Sequence, residues 1–203
     1  MQELNFEALN QFCSAWIRKS ERIDLEPLEG VFDRFFTLWV VYNRLYEEAG
    51  RYLVHRQHPF YRPFIARQGR RIYAPPPDKI SATKGIIAYV GLGYLRERVF
   101  ANPNAVEGLN YVHDAIQYGM FYLHEDYETG EPDTERDQKL VTKAREGCIE
   151  SILTLIYQAR CNLFHGQKSF TESQRDLLNG MSEILQVIIS CSLTKIEERS
   201  DNA

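Results

Sequence analysis

Apolar residues recur along most of the chain at the spacing of an α-helix. Over residues 32–46 they fall three or four positions apart, with Asn43 as the polar exception, which leaves one wide apolar face. Pro27 before this segment and Gly50 after it are typical of a helix start and a helix end. The pattern therefore predicts a long helix with a largely buried face.

The same periodicity predicts helices before and after this segment. Residues 177–188 repeat it near the C-terminus, following a Ser/Thr-rich loop that can cap a helix. Further helices are expected at about 5–21, 83–100, 104–125 and 137–165. Convincing two-residue alternation bounded by hairpin turns is absent from the sequence. The expected fold is all-α, an antiparallel helical bundle formed by a single domain over residues 1–203.

Two stretches interrupt the helical pattern. Residues 51–80 contain most of the prolines, including Pro75-Pro76-Pro77, and cannot form one continuous helix. They are expected to form an irregular insertion rich in proline and arginine. Residues 126–136, which include Gly130 and Pro132, are expected to form an acidic turn.

Composition narrows the class of protein. The chain has 203 residues, of which 44% are hydrophobic and 12% aromatic, so it can bury a core. The N-terminus lacks the basic region of a signal peptide, and the apolar run 184–193 is too short to span a bilayer. Four cysteines lie far apart without a Cys-x-x-Cys pair. We therefore expect a cytoplasmic protein with reduced thiols and no membrane partner.

The net charge of −4 argues against a strongly basic nucleic-acid binder, but it conceals an uneven distribution. Residues 51–84 carry eight basic side chains and one acid, Asp78, for a net charge of +7, and the rest of the chain carries −11. Aromatic residues such as Tyr52 and Phe60 are interleaved with the bases, a composition that suits single-stranded nucleic acid. The candidate RNA-binding residues are Arg51, Arg56, Arg62, Arg67, Arg70 and Arg71. The alternative is a solvated loop whose arginines face the acidic remainder.

An arginine near the end of the 137–165 segment stands out. Arg160 falls about 40° from Ile156 on a helical projection, inside the apolar stripe, and a buried arginine implies an acidic partner, a pocket or an interface. His165 follows five residues later, and Gly166 is a suitable residue to end the helix there. The departing backbone could then turn His165 back toward Arg160. The structural alternative is a histidine at the helix dipole and an arginine in an ion pair.

In this context, Arg160-x4-His165 followed by Gly166 and another amphipathic helix resembles the R-x4–6-H motif of HEPN domains. The aromatic-rich helix around residues 35–46 is also similar to an early helix of several HEPN branches. The resemblance is best over 137–193 and 31–48, and the basic insertion has no counterpart. Cys161 departs from the polar residue that many members carry directly after the arginine.

The resemblance implies a metal-independent endoribonuclease that needs no cofactor. In such an enzyme a ribose 2′-OH attacks the adjacent phosphate, His165 would transfer protons, and Arg160 would stabilise the anionic transition state, with Asn162 close enough to contribute. HEPN ribonucleases place the motifs of two protomers face to face, so we expect a homodimer with a composite site. The resemblance also suggests a toxin or an anti-phage defence effector, with an antitoxin or regulatory protein as partner.

Two other functions remain open at this point. The first is a non-catalytic HEPN-like module that binds RNA, a nucleotide or a protein, and the second is a helical scaffold with a fortuitous Arg/His pair. Other candidate sites are weaker. His55 and His58 form at most half of a zinc site, Gly91 and Gly93 lack the third glycine of a dinucleotide-binding loop, and His113 and His124 are interpreted as isolated residues on a helix.

Overall fold

Helices account for nearly all of the residues that the computed structural model describes, which are 6–60, 63–65, 71–73, 77–164 and 171–200. The predicted all-α class is therefore confirmed. The helices form a bundle around one hydrophobic core, to which almost every helix contributes buried side chains.

The elements follow one another through mostly short connections. In chain order they are α1 (Phe6–Glu21), α2 (Leu28–His55), β1 (Pro63–Ile65), β2 (Arg71–Tyr73), α3 (Asp78–Ile80), α4 (Ile86–Val90), α5 (Leu92–Phe100), α6 (Pro103–Gln117), α7 (Thr134–Arg145), α8 (Ile149–Phe164) and α9 (Arg175–Ser200). A π-helical turn, Ser81–Gly85, joins α3 to α4, and a 3₁₀ turn, Glu172–Gln174, precedes α9.

The C-terminal helix α9 lies at the centre of the bundle and packs along both α6 and α2, while α1 covers α2. Where α6 crosses α9, Gly108 faces Gly180, and a Cβ atom on Gly108 would lie only 2.5 Å from the Gly180 Cα atom. The two glycines thus allow the two backbones to touch, which brings these helices closer than larger side chains would permit.

Among the described residues, the stretch Glu172–Ser200 is long and apolar enough to cross a membrane. However, 61% of its most apolar part is buried inside the protein. Burial of this kind is typical of the central helix of a bundle, whose apolar face is covered by neighbouring helices.

Several predicted helix ends are wrong. Helix α2 does not end at Gly50, which is buried within it, because its apolar face continues to Leu53. The predicted helix 137–165 is two helices, since the backbone reverses at Gly147 with a φ of +95°. This conformation is accessible to glycine at little cost and cannot continue a right-handed helix.

The predicted helices 83–100 and 104–125 are also interrupted or shorter. Gly91, with a φ of +105°, separates α4 from α5. Helix α6 ends at Gln117 and is followed by turns. The acidic turn predicted over 126–136 is closed by a bridge between Glu125 and Pro132, and it is shorter than predicted because α7 begins at Thr134.

The basic insertion contains more regular structure than its prolines suggest. Within its described part, β1 and β2 pair as a short antiparallel ribbon, with Phe64 opposite Ile72. This strand pair was not predicted from the sequence, because each strand is only three residues long and too short to show alternation.

Candidate active site

Helix α8 presents its apolar face to the core and brings Arg160 against α2. Ile152, Ile156 and Ala159 are buried on this face, and Arg160 is half-buried beside them. The Cζ atom of Arg160 lies 5.5 Å from the ring centroid of Trp39, a residue of α2 that is almost completely buried. An indole face attracts a guanidinium at this distance. The arginine on the apolar stripe is thus accommodated against an aromatic wall.

Trp39 belongs to a group of four rings that we call the aromatic cluster, formed by Trp39, Tyr42 and Tyr46 of α2 and Tyr157 of α8. Their contacting ring centroids are 5.3 to 6.1 Å apart, and each contact is edge to face. Such pairs contribute about 0.5–1.5 kcal/mol each beyond the area they bury. Because the rings fix one another, the wall behind Arg160 is rigid.

Asp78, the first residue of α3, fastens the end of the basic insertion to this cluster. Its Oδ1 accepts a hydrogen bond from the Tyr46 hydroxyl at 2.6 Å, and its Oδ2 accepts one from the Tyr157 hydroxyl at 3.1 Å. The Tyr42 hydroxyl donates to the Ala82 carbonyl in the following π-helical turn at 2.5 Å. The insertion therefore returns to the bundle beside the helix that carries Arg160.

The tyrosines of the cluster are held in their neutral, hydrogen-donating form. Burial raises the pKa of Tyr46, the hydrogen bond to Asp78 and the charge of that carboxylate raise it further, and the Arg160 charge opposes the increase. Burial also raises the pKa of Tyr157, with Asp78 as the next cause. Both hydroxyls can consequently serve as fixed donors at neutral pH.

Asn162 is buried, and the structure uses both ends of its amide internally. Its Nδ2 donates to the Leu123 carbonyl at 2.7 Å, and its Oδ1 accepts from Gln158 Nε2 at 2.8 Å. The bond to the Leu123 carbonyl attaches the segment before α7 to α8, and the bond from Gln158 lies within α8. Cys161, the departure from the HEPN pattern, is half-buried, with its Sγ atom 3.9 Å from Arg160 Nη1.

His165 and Gly166 lie outside the described residues, since the description of α8 ends at Phe164. The approach of His165 to Arg160 therefore stays a prediction. Arg62, Arg67 and Arg70 of the insertion also lie outside the described residues.

Two of the predicted RNA-binding arginines are described with their side chains. Arg51 is exposed, and its Nη1 lies 3.0 Å from a carboxylate oxygen of Glu48. Arg56 is exposed, with its Cζ 5.4 Å from the ring centroid of Tyr52. Arg71 belongs to β2, where the backbone alone is described. The arginine and aromatic residues that the sequence interleaves do meet at Arg56 and Tyr52.

The structure contains a buried pair, His124 and Asp137, that was not predicted from the sequence. His124 does not lie on a helix as expected but in the turns after α6, where its Nδ1 is 2.5 Å from Asp137 Oδ1. The other oxygen, Oδ2, accepts the backbone N–H groups of Leu123 and His124 at 2.6 and 3.0 Å. A signal was present, because Asp137 lies on the same helical stripe as the buried Val141 and Ala144.

Over the part of the chain that the structure describes, no three His, Cys, Asp or Glu side chains come together as a metal-binding group. No protein-family model, curated protein or solved structure matches the chain significantly. Any assignment of function therefore depends on the residues and geometry given above.

Proposed function

We propose that the chain is a metal-independent endoribonuclease of the HEPN type, with Arg160 and His165 as its catalytic residues. The site would be completed by the same two residues of a second protomer, so that the active form is a homodimer. A role as a cytoplasmic toxin or defence effector, with an antitoxin or regulator as protein partner, belongs to the same proposal.

The position of Arg160 is the observation that carries this proposal. A half-buried guanidinium lies against the buried ring of Trp39 near the end of α8, five residues before a histidine. Desolvation makes a fixed positive charge more effective toward a phosphate than the same charge in water. The planar guanidinium also matches two oxygens of a phosphoryl group.

Cleavage needs one base and one acid. A neutral imidazole of His165 would take the proton of the ribose 2′-OH, whose oxygen then attacks the adjacent phosphorus. The P–O5′ bond breaks, a protonated imidazole donates a proton to the departing 5′ oxygen, and a 2′,3′-cyclic phosphate remains. Because the two proton transfers require different protonation states, His165 residues from two protomers suit the two roles.

The basic insertion would hold the RNA strand beside this site. The insertion leaves the bundle at the end of α2 and returns at Asp78, and both ends adjoin helices that carry the aromatic cluster. Its arginines would contact the phosphates and its aromatic residues the bases. We assign the RNA-binding role to Arg51, Arg56, Arg62, Arg67, Arg70 and Arg71.

The test is an RNA-cleavage assay in EDTA that compares the parent protein with His165→Ala and Arg160→Ala. General acid–base catalysis contributes about 10²- to 10⁴-fold, so we expect His165→Ala to reduce the rate by that amount. Arg160→Lys should recover little activity, because lysine retains the charge but not the planar pair of donors.

Two matched variants control for non-specific effects. His113→Ala removes a half-buried histidine that contacts Asp114 and Arg145, and Arg18→Ala removes an exposed arginine of α1. Both should cleave RNA like the parent protein. Cleavage that survives His165→Ala and Arg160→Ala would overturn the catalytic assignment, and RNA binding without cleavage would favour the non-catalytic module. A strictly monomeric protein at working concentration would exclude the composite site.

A further inference from the structure

A concave region lies beside the first half of α8, on the side of the His124–Asp137 pair. It is a groove of about 870 Å³ between α3, the π-helical turn, α7 and α8. Its described lining includes five basic side chains, namely Lys79, Lys84, Arg136, Lys139 and Lys143, and three acidic ones. We call it the lysine groove.

The three acidic side chains are already engaged. Glu150 pairs with Lys84 at 3.4 Å, and Glu135 pairs with Lys139. Asp133 caps α7 by accepting a hydrogen bond from the Arg136 backbone N–H at 3.2 Å. The three remaining basic residues of the lining are Lys79, Arg136 and Lys143. Within the described residues, their side chains form no ion pair. The groove therefore has positive charge in excess.

His124 supplies an independent polar group in the wall of this groove. Its Nδ1 lies 2.5 Å from Asp137 Oδ1, and Asp137 Oδ2 accepts the backbone N–H groups of Leu123 and His124, so this side of the ring is held in place. The second ring nitrogen, Nε2, is buried and has no hydrogen-bond partner in the described part of the chain, although the residue is only 5% exposed. A buried polar atom without a partner calls for one, and a ligand in the groove that His124 lines can supply it.

We propose that the lysine groove binds a phosphate group, with Lys79, Arg136 and Lys143 neutralising its charge and the Nε2–H of His124 donating a hydrogen bond to one of its oxygens. No described lining residue is Phe, Tyr or Trp, so the groove lacks a platform for stacking bases. It therefore recognises phosphate rather than sequence. The phosphate comes either from the backbone of an RNA strand or from a free nucleotide.

This proposal goes beyond the ribonuclease assignment and does not require cleavage. Binding is measured on the Arg160→Ala protein, so that RNA remains intact and failure of either proposal can be recognised separately. The probes are inorganic phosphate and ATP, followed by calorimetry, and a fluorescent single-stranded oligoribonucleotide, followed by anisotropy at several salt concentrations.

The deciding variant is Lys79→Gln combined with Lys143→Gln. It should weaken binding of the responding probe by about tenfold or more, and for RNA it should reduce the salt slope by about two, one for each phosphate contact. The matched control is Lys19→Gln combined with Lys195→Gln, which removes the same charge from α1 and α9, outside the groove. It should bind like its parent.

The imidazole is tested without replacing His124, because removing a buried histidine that is hydrogen-bonded to Asp137 would also lower the stability of the protein. The ¹⁵N resonance of His124 Nε2 should shift when phosphate is added to the Arg160→Ala protein and should stay unchanged in the lysine double variant.

Each pattern of results has a defined meaning. Weaker binding of RNA by the double variant assigns the groove to a strand, whereas weaker binding of ATP and phosphate alone assigns it to a free nucleotide. Equal binding by the double variant and its control, or an Nε2 resonance that ignores phosphate, would overturn the proposal.

Discussion

Two polar residues lie on apolar helical stripes, and the protein accommodates them in opposite ways. Arg160 of α8 lies against the aromatic cluster, where Trp39 provides an indole face and Arg160 stays half-buried. Asp137 of α7 is completely buried, and hydrogen bonds from His124 and two backbone N–H groups surround its carboxylate. The first site stabilises a cation through a contact with an aromatic ring, and the second stabilises a carboxylate through hydrogen bonds.

The difference matters for what each site can do. A cation–π contact depends only weakly on angle, so a guanidinium can reorient toward a second ligand and still keep its contact with the ring. The carboxylate of Asp137 has its oxygens committed to short hydrogen bonds, so it positions His124 rather than meeting a ligand itself. We therefore expect direct chemistry at Arg160 and a binding role on the imidazole side of the Asp137 pair.

The largest expected effect is a loss of stability at high pH, caused by the tyrosines of the aromatic cluster. Burial raises the pKa of Tyr42 and Tyr46 above the value of an exposed tyrosine, which is about 10. The stability that these neutral hydroxyls contribute is complete below that value and is lost as pH rises further, since the unfolded chain ionises first. The free energy of unfolding should fall by about 3 kcal/mol per pH unit for the two residues together.

Urea titrations at increasing pH measure this loss, and the ultraviolet absorbance of tyrosinate reports ionisation directly. If Tyr42 and Tyr46 ionise before the protein unfolds, the aromatic cluster is accessible to solvent and the prediction is wrong.

The next largest effect is the loss of stability expected when the buried carboxylate of Asp137 is removed. Asp137→Ala leaves three donors without their acceptor in a buried place, so it should lower the free energy of unfolding by about 3–5 kcal/mol. Asp133→Ala, four residues earlier on the same chain segment, removes an N-cap and should cost about 1 kcal/mol. Urea unfolding compares the two. Equal losses would mean that the buried pair contributes no more than an ordinary cap.

These two sites also show what the sequence reveals. The bundle could be predicted, because periodicity reports which face of a helix is buried. Arg160 could be identified from the sequence, because a charged side chain among isoleucine and alanine on one helical face is unusual. Asp137 obeys the same rule but follows Asp133 and Glu135, and the three acids together resemble a solvated helix start.

The remainder depends on the tertiary structure. His124 could be paired with Asp137 only after α6 was known to end at Gln117. The break at Gly147 depends on a positive φ, which a single glycine in the sequence does not predict. The contacts of Asp78 with Tyr46 and Tyr157 join residues 32 and 79 positions apart. Pairing at such separations leaves no periodic trace in a single sequence.

A smaller effect is expected at Asn162, which links the two regions. Asn162→Ala leaves the buried Leu123 carbonyl without its donor and should cost about 1–3 kcal/mol of stability. Gln158→Ala removes only the bond to the amide oxygen and should cost less. Chemical unfolding measures both losses.

The same variant separates a positioning role of Asn162 from a catalytic one. If the amide only fastens the chain before α7, Asn162→Ala should cleave RNA nearly as well as the parent protein at a temperature where both are folded. A large fall in the rate of the folded variant would instead place Asn162 among the catalytic residues.

The smallest effect is the coupling between Arg160 and Trp39. A double-mutant cycle with Trp39→Phe and Arg160→Gln should give a coupling energy of about 0.5–2 kcal/mol, because the contact is partly desolvated. Lys19 lies 4.7 Å from the ring centroid of Trp16 on the exposed side of α1 and provides the matched cycle, with Trp16→Phe and Lys19→Gln. Its coupling should be smaller, since water screens an exposed cation. If the two couplings are equal, burial does not strengthen the Arg160 contact, and the aromatic cluster would then serve to pack α2 against α8 without fixing the guanidinium.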